Sequence, residues 1–327
     1  MSSVVVMLAI LFFASLQIVW VNGQAKATPP CLFIFGDSLS DSGNNNDLLT
    51  GAKCNFPPYG VDFPEGPTGS DHLGLPGYIK PYPKATDDVI MRGINYASGS
   101  SGILDETGWQ VGDRICMNKQ MERHKEIVSR ISQRLGEAQA KAHLGKCLYS
   151  IYVGSNDWMF NYFIRPTVMA TNLLPQGYAD KLHKQLTTQI DTLLGLGAKK
   201  VMMFGLSPLG CLPILNMIQT CSPPVNEVLK MWNDKVKGIV DTYNNKAVSN
   251  SFISTLWIFS TQITYKPLFK QAECVPFSIP CQDRNERAYW DQEHTTEAAN
   301  KILAARAFKA QTPTDTYPMD ISSLARL

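Results

Sequence analysis

A serine hydroxyl is a weak nucleophile and becomes catalytic only beside a base, itself oriented by a third group. The chain offers residues for all three roles. Leu32-Phe-Ile-Phe35 runs directly into Gly36-Asp37-Ser38 and then Gly43-Asn44-Asn45-Asn46, the pattern of a short buried strand breaking into a polar turn. Open α/β sheets bind ligands beyond the carboxyl ends of their strands, which makes Ser38 the candidate nucleophile; the alternative is a surface turn rich in turn formers. Of the five histidines, His124, His143 and His183 fall in helical stretches, and His72 sits in a Gly/Pro loop where spacing suggests no partner. His294 differs, because Asp291 lies three residues before it in Trp290-Asp-Gln-Glu-His294, where a loop carboxylate can fold back onto the ring N–H. Helix capping plus a surface imidazole is the alternative for this pair. Acyl transfer also needs donors aimed at an oxyanion, and Gly102 (backbone N–H) and Asn156 (side-chain amide) follow two further strand-like runs.

Those groups must be positioned by strands that alternate with helices. Strand-like runs occur at Leu32–Phe35, Gly93–Ala97, Leu148–Val153, Val201–Phe204 and within Phe252–Phe259. Between them, Ile127, Ile131, Leu135 and Ala138 recur at helical spacing, as do Tyr178, Leu182, Leu186, Ile190 and Leu193. Val225, Val228, Trp232, Val236, Ile239 and Tyr243 form the cleanest stripe, opened by Pro223-Pro224, and a last helix is expected over roughly Thr296–Lys309. This alternation predicts one α/β domain with a parallel sheet covered on both faces. Neither a repeat nor a linker divides it.

Composition narrows the setting. At 327 residues and 44% apolar content the chain can bury a large core, and a net charge of +2 without a basic stripe argues against nucleic acid or anionic membrane surfaces as partners. Residues 1–27 read as a secretory signal peptide: Val4 to Val21 is apolar except for Ser15 and Gln17, and small residues offer cleavage after Gly23 or Ala27. An uncleaved anchor is the alternative; with cleavage, no stable membrane insertion is expected. The eight cysteines contain no C-x-x-C pair, which favours disulfides over a zinc or thioredoxin-like site. Cys211 with Cys221 and Cys274 with Cys281 are the preferred local bridges; the alternative, that several are buried free thiols, suits Cys31 and Cys147 best, since each abuts an apolar strand.

On these residues the chain resembles the plant-type GDSL esterase/lipase family of the SGNH hydrolase superfamily. The hallmark blocks appear in order as Phe35-Gly-Asp-Ser38-Leu, Asn95-Tyr-Ala-Ser-Gly-Ser-Ser-Gly102-Ile, Gly154-Ser-Asn156-Asp157 and Asp291-x-x-His294. Lesser landmarks include Pro57-Pro-Tyr-Gly-Val-Asp-Phe-Pro, Phe204-Gly-Leu-Ser-Pro-Leu-Gly-Cys211 and Pro280-Cys-Gln-Asp-Arg284. The resemblance implies a three-layer flavodoxin-like (SGNH hydrolase) sandwich with a central parallel sheet, in a single domain over residues 28–327. It further implies Ser38 as nucleophile, His294 as base and Asp291 as its orienter, with the Ser38 N–H, Gly102 N–H and Asn156 amide as oxyanion hole. No metal or organic cofactor is expected. The partner would be a small-molecule ester or acylated substrate, met outside the cell. The family pattern is shortened after Gly69 and before Cys274, the first by about a helix, which would expose apolar strand surface. Thr295 stands where the family commonly has Pro and is expected to cap the last helix. A catalytically impaired exported binding or structural protein, and an acyltransferase using the same site, are the alternative functions.

Overall fold

The computed structural model describes residues 29–53, 55–59, 61–62, 79–164, 172–215, 221–245, 251–256 and 279–327. The proposed signal peptide, His72, Cys54 and Cys274 lie outside them. The apolar run after Cys31 forms β1 (Leu32–Gly36), buried at every residue. It pairs in parallel with β2 (Leu148–Tyr152), Leu32 opposite Leu148 and Gly36 opposite Tyr152. Next come β3 (Lys200–Phe204), β4 (Phe252–Leu256) and a short edge strand, β5 (Thr316–Tyr317), giving the sheet order β1-β2-β3-β4-β5. The first four strands are parallel and β5 alone is antiparallel.

Strand alternation sorts the core into two layers. Phe33, Phe35, Tyr149, Ile151, Val201 and Met203 face one side. There they meet α1 (Met117–Leu135), α3 (Pro175–Gly195) and α4 (Pro223–Asn245), through residues such as Ile131, Leu186 and Trp232; the short α2 (Glu137–Leu144) leads into β2. Leu32, Ile34, Leu148 and Met202 face the other side, closed by α5 (Glu297–Phe308) and α6 (Ile321–Arg326). Thr296 is the N-cap of α5, accepting from the Ala299 N–H at 3.3 Å, so the cap is one residue later than expected. Among the described residues no helix is long and apolar enough to cross a membrane.

Several expectations need correction. The expected strand Gly93–Ala97 is not a regular strand. It runs beside β1, with Ile34 N–H donating to Ile94 O (3.0 Å) and Tyr96 N–H to Ile34 O (2.7 Å), but the Gly36 N–H that would continue the ladder is taken by Gln120 Oε1, and only isolated bridges remain. The expected exposure of strand surface is absent from β1 and β2, whose residues are all buried, because α5 and α6 pack on that face. Cys31 and Cys147 are not free thiols but form a disulfide. They precede Leu32 and Leu148, which are register partners, so parallel pairing brings the two sulfurs together. Cys211–Cys221 is bonded as expected; Cys281 is also disulfide-bonded, whereas Cys116 is free.

Gly36 ends β1 where the backbone must turn. Its φ is +148°, and a Cβ built there would lie 2.1 Å from the Tyr152 carbonyl oxygen. Its peptide groups are held by Gln120, whose Oε1 accepts from Gly36 N–H (2.9 Å) and whose Nε2 donates to Gly36 O (2.8 Å). Gly36→Ala therefore has to force β1 and β2 apart. We expect it to lower stability by roughly 3 kcal/mol or more, as overpacking and positive-φ strain combine; a denaturant midpoint equal to that of the unmutated chain would refute the close-approach argument.

Candidate active site

The turn after Gly36 carries Ser38 to the carboxyl edge of the sheet. Asp37 N–H donates to Tyr152 O (3.1 Å), and Asp37 Oδ1 accepts from Leu39 N–H (3.1 Å), closing a tight turn with Ser38 between them. The candidate base, His294, arrives from the other end of the chain on a small hairpin. Tyr289 bridges Thr295, and Trp290 N–H donates to His294 O at 2.7 Å. At its tip Asp291 Oδ1 accepts from the Glu293 and His294 N–H groups at 2.8 and 2.7 Å, the folding-back that the three-residue spacing suggests. His294 Nδ1 is 2.7 Å from Asp291 Oδ2, and its Nε2 is 2.9 Å from Ser38 Oγ. The three residues therefore form one hydrogen-bonded chain, with the proton positions on the ring set by these partners.

Carboxylates surround this imidazole. Burial alone would raise Asp291, but the hydrogen bond and charge of His294, with the Tyr59 hydroxyl and the Glu293 N–H, outweigh it and hold the acid at about 2. Burial opposes protonation of His294, yet Asp291, Glu293 and Asp37 together raise it to about 9. Asp37 is almost fully buried, and desolvation pushes it up to about 7; Glu293 is raised by burial as well.

The cleft is built from successive strand ends. β1 contributes Asp37, Ser38 and Leu39; the turn after β2 contributes Ser155 and Asn156; the loop after β3 contributes Ser207, Leu209 and Leu212. Met159, Glu293 and His294 complete the wall. Asn156 Nδ2 donates to Ser101 O at 2.9 Å, which uses one of its two amide hydrogens. Among the described residues the Ser38 N–H has no hydrogen-bond partner. Gly102 is buried and is not among the residues that line this cleft. A Cβ there would lie 2.4 Å from Thr107 Cγ2 and 2.5 Å from Asp157 Oδ2, so the glycine is required by packing. Asp157 organises that loop, accepting from Ile103 N–H (2.8 Å), Leu104 N–H (3.1 Å) and Thr107 Oγ1 (2.6 Å). The other histidines stand apart. His124 is fully buried among Phe33, Phe35, Tyr96 and Tyr149, and His143 lies near Cys31 and Met91.

The residues missed in the sequence are those supplied by loops distant in the chain. Leu209 lies in, and Leu212 directly follows, the Gly205-Leu-Ser-Pro-Leu-Gly-Cys211 stretch after β3, where a strand end and a disulfide are legible. The Cys211–Cys221 bridge and the Ser222 N–H to Gly210 O bond (2.7 Å) pin that wall. Asp37 and Glu293 were visible only as neighbours of Ser38 and His294. No spacing pointed to Tyr59, whose hydroxyl donates to Asp291 Oδ2.

With this geometry in view, similarity to known proteins is informative. The family model for GDSL-like Lipase/Acylhydrolase matches residues 32–307. The chain is 38% identical to GDSL esterase/lipase At1g29670 of Arabidopsis thaliana over 346 residues, covering 94% of each chain. It is likewise 38% identical to GDSL esterase/lipase At5g45670 of the same plant, covering 93% of this chain and 94% of that one. Among solved structures, an acetyl xylan esterase from Geobacillus stearothermophilus aligns with a TM-score of 0.44 at 14% identity, over 85% of this chain and 92% of that one. A family match that begins at β1 and ends within α5, taking in Ser38, Asn156, Asp291 and His294, means that the chain belongs to the GDSL-like lipase/acylhydrolase family.

Proposed function

We propose that this chain, a carboxylic ester hydrolase by family, works through an acyl-enzyme on Ser38. The observation that carries the reading is the pair of contacts from one imidazole, 2.9 Å to Ser38 Oγ and 2.7 Å to Asp291 Oδ2. Ser38 Oγ attacks the acyl carbonyl carbon while its proton passes to His294 Nε2; Asp291 steadies the resulting imidazolium and remains ionised. The oxyanion is received by the Ser38 N–H, the Gly102 N–H and the Asn156 amide, of which Ser38 and Asn156 belong to residues that line the cleft. His294 then returns its proton to the leaving alcohol, and water, deprotonated by the same ring, releases the acid and restores Ser38. Every proton has a named carrier, so these steps call for no metal or organic cofactor. We further propose one hydrolase domain after a cleaved signal peptide of residues 1–27, and secretion. The apolar run from Val4 to Val21 and the disulfides Cys31–Cys147 and Cys211–Cys221 support that location.

An active-site fluorophosphonate is expected to label the unmutated protein at Ser38 and to leave Ser38→Ala unlabelled at an unchanged melting temperature; equal labelling would sink the assignment. Asn156→Ala should lower kcat on a short-chain p-nitrophenyl ester by about 10²–10³-fold with little change in KM, as for loss of one oxyanion donor.

The pH dependence has a definite sign. His294 must be neutral to take the proton from Ser38, and its carboxylate neighbours raise it to about 9. Activity should therefore be lost as pH falls through a value well above the ordinary histidine range of about 6.5. Asp291→Asn removes the main raising partner, so the midpoint should move down and kcat fall by about 10³–10⁴-fold. A kcat/KM profile centred at or below the ordinary value in the unmutated enzyme would contradict the ion-pair reading.

A further inference from the structure

Two short sequence blocks take no part in the chemistry above, and they meet each other. Asp62, in the Pro57-Pro58-Tyr59 loop, receives Arg284 bidentately: Arg284 Nε lies 2.9 Å from Oδ1 and 3.2 Å from Oδ2, and Nη2 lies 2.8 Å from Oδ1. Arg284 opens the single turn Arg284–Glu286 that leads into the Asp291–His294 hairpin. From the same loop the Tyr59 hydroxyl donates to Asp291 Oδ2. Its ring stands edge-on to His294, with centroids 6.0 Å apart and an interplanar angle of 85°.

The accounting at Asp291 gives this contact its meaning. A carboxylate has about four acceptor sites. Two are taken on Oδ1 by the Glu293 and His294 N–H groups, and on Oδ2 one goes to His294 Nδ1 and the last to Tyr59. We infer that Tyr59 is a positioning residue for the reaction, its hydroxyl orienting the Asp291 carboxylate and hence the His294 ring, with the Asp62–Arg284 pair tethering its loop. The inference rests on the reading of Ser38, His294 and Asp291 given above. Tyr59 acts through Asp291 and touches no reacting atom.

The chemistry has a readable signature. A hydroxyl donating to Oδ2 shares the negative charge that His294 also draws on. Without it the carboxylate is more basic, and the imidazolium is held more tightly. The ionisable groups facing His294 are Asp291, Glu293 and Asp37, and Tyr59→Phe removes none of them. Phe also preserves the ring packing against Phe56, whose centroid lies 5.4 Å from that of Tyr59. This substitution therefore isolates the hydroxyl.

The test compares the full-length protein with Tyr59→Phe and Arg284→Ala, measuring kcat and KM for p-nitrophenyl acetate from about pH 6 to 10, melting temperature, and the rate of fluorophosphonate labelling at Ser38. Tyr59→Phe is expected to lower kcat by about 5–50-fold, within the range caused by small misplacement of catalytic groups. KM should stay within about twofold, and the acid limb of kcat/KM should move up by a few tenths of a pH unit or more. Arg284→Ala should lower kcat and the labelling rate in the same sense. A Tyr59→Phe enzyme that melts earlier but keeps its kcat and pH profile, or one unchanged in every measurement, overturns the positioning role. Failure of the underlying reading would look different: the unmutated protein would escape labelling at Ser38, or Ser38→Ala would retain its turnover.

Discussion

One imidazole ring, held at both nitrogens by residues from opposite ends of the chain, is the constraint on which the cleft depends. Ser38 and His294 are 256 positions apart, so their 2.9 Å contact exists only if the end of β1 and the hairpin before α5 are both held in place. At the β1 end this is achieved by backbone: Gly36 passes under the Tyr152 carbonyl and Asp37 N–H is bonded to it. The hairpin is braced by its own Trp290–His294 bond and continues into the Thr296 cap of α5. Because α5 packs on the sheet face opposite α1, α3 and α4, the second layer of the fold is also what delivers His294.

Most polar residues of the hallmark blocks serve the backbone around the cleft. Sheet ends leave irregular chain buried, and its N–H and C=O groups need partners. Asn44 Nδ2 donates to Asn95 O (3.0 Å) and Ala97 O (2.8 Å), while its Oδ1 accepts from Tyr82 N–H (3.0 Å). Asn45 reaches Ala52 O and Gly99 O, and Asp41 accepts from Gly43, Asn44 and Gly99. These bonds lock the Ser38 turn to the Asn95–Gly99 segment beside it. Asp157 does the same for the loop from Ile103 to Thr107. The chemistry needs few side chains, but holding them to within a fraction of an ångström needs many.

Burial and pairing divide the acids of this region into different states. Asp37 and Asp157 are fully buried and pushed up to about 7 and about 6, chiefly by desolvation. Asp291, with a protonatable ring and backbone donors against it, is held at about 2. No Lys or Arg lines the described cleft; the ring of His294 is the protonatable group that faces Asp291, Glu293 and Asp37, whereas Asp157 is held by Thr107 and backbone N–H groups. The environment thus favours the protonated form of His294.

Much of this was legible in the chain alone. Period-2 and period-3.6 patterns are local, so the four parallel strands, the long helices α1, α3 and α4, and the last helix near its true bounds could be read from residues a few positions apart. So could the order of strand ends, and with it the places of Ser38 and Asn156, each following a strand whose end is marked by Gly, while Asp291 and His294 are marked by the capped helix that they precede. Contacts between loops were not legible, because loop backbones carry no periodicity and their partners lie far away in sequence. The Cys31–Cys147 bridge depends on the register of β1 against β2, and the antiparallel β5 on where the chain returns after α5. The close packing of Thr107 and Asp157 against Gly102 likewise depends on contacts between loops. The meeting of Tyr59 with Asp291, across 232 positions, arises only because the sheet brings its loops to one edge.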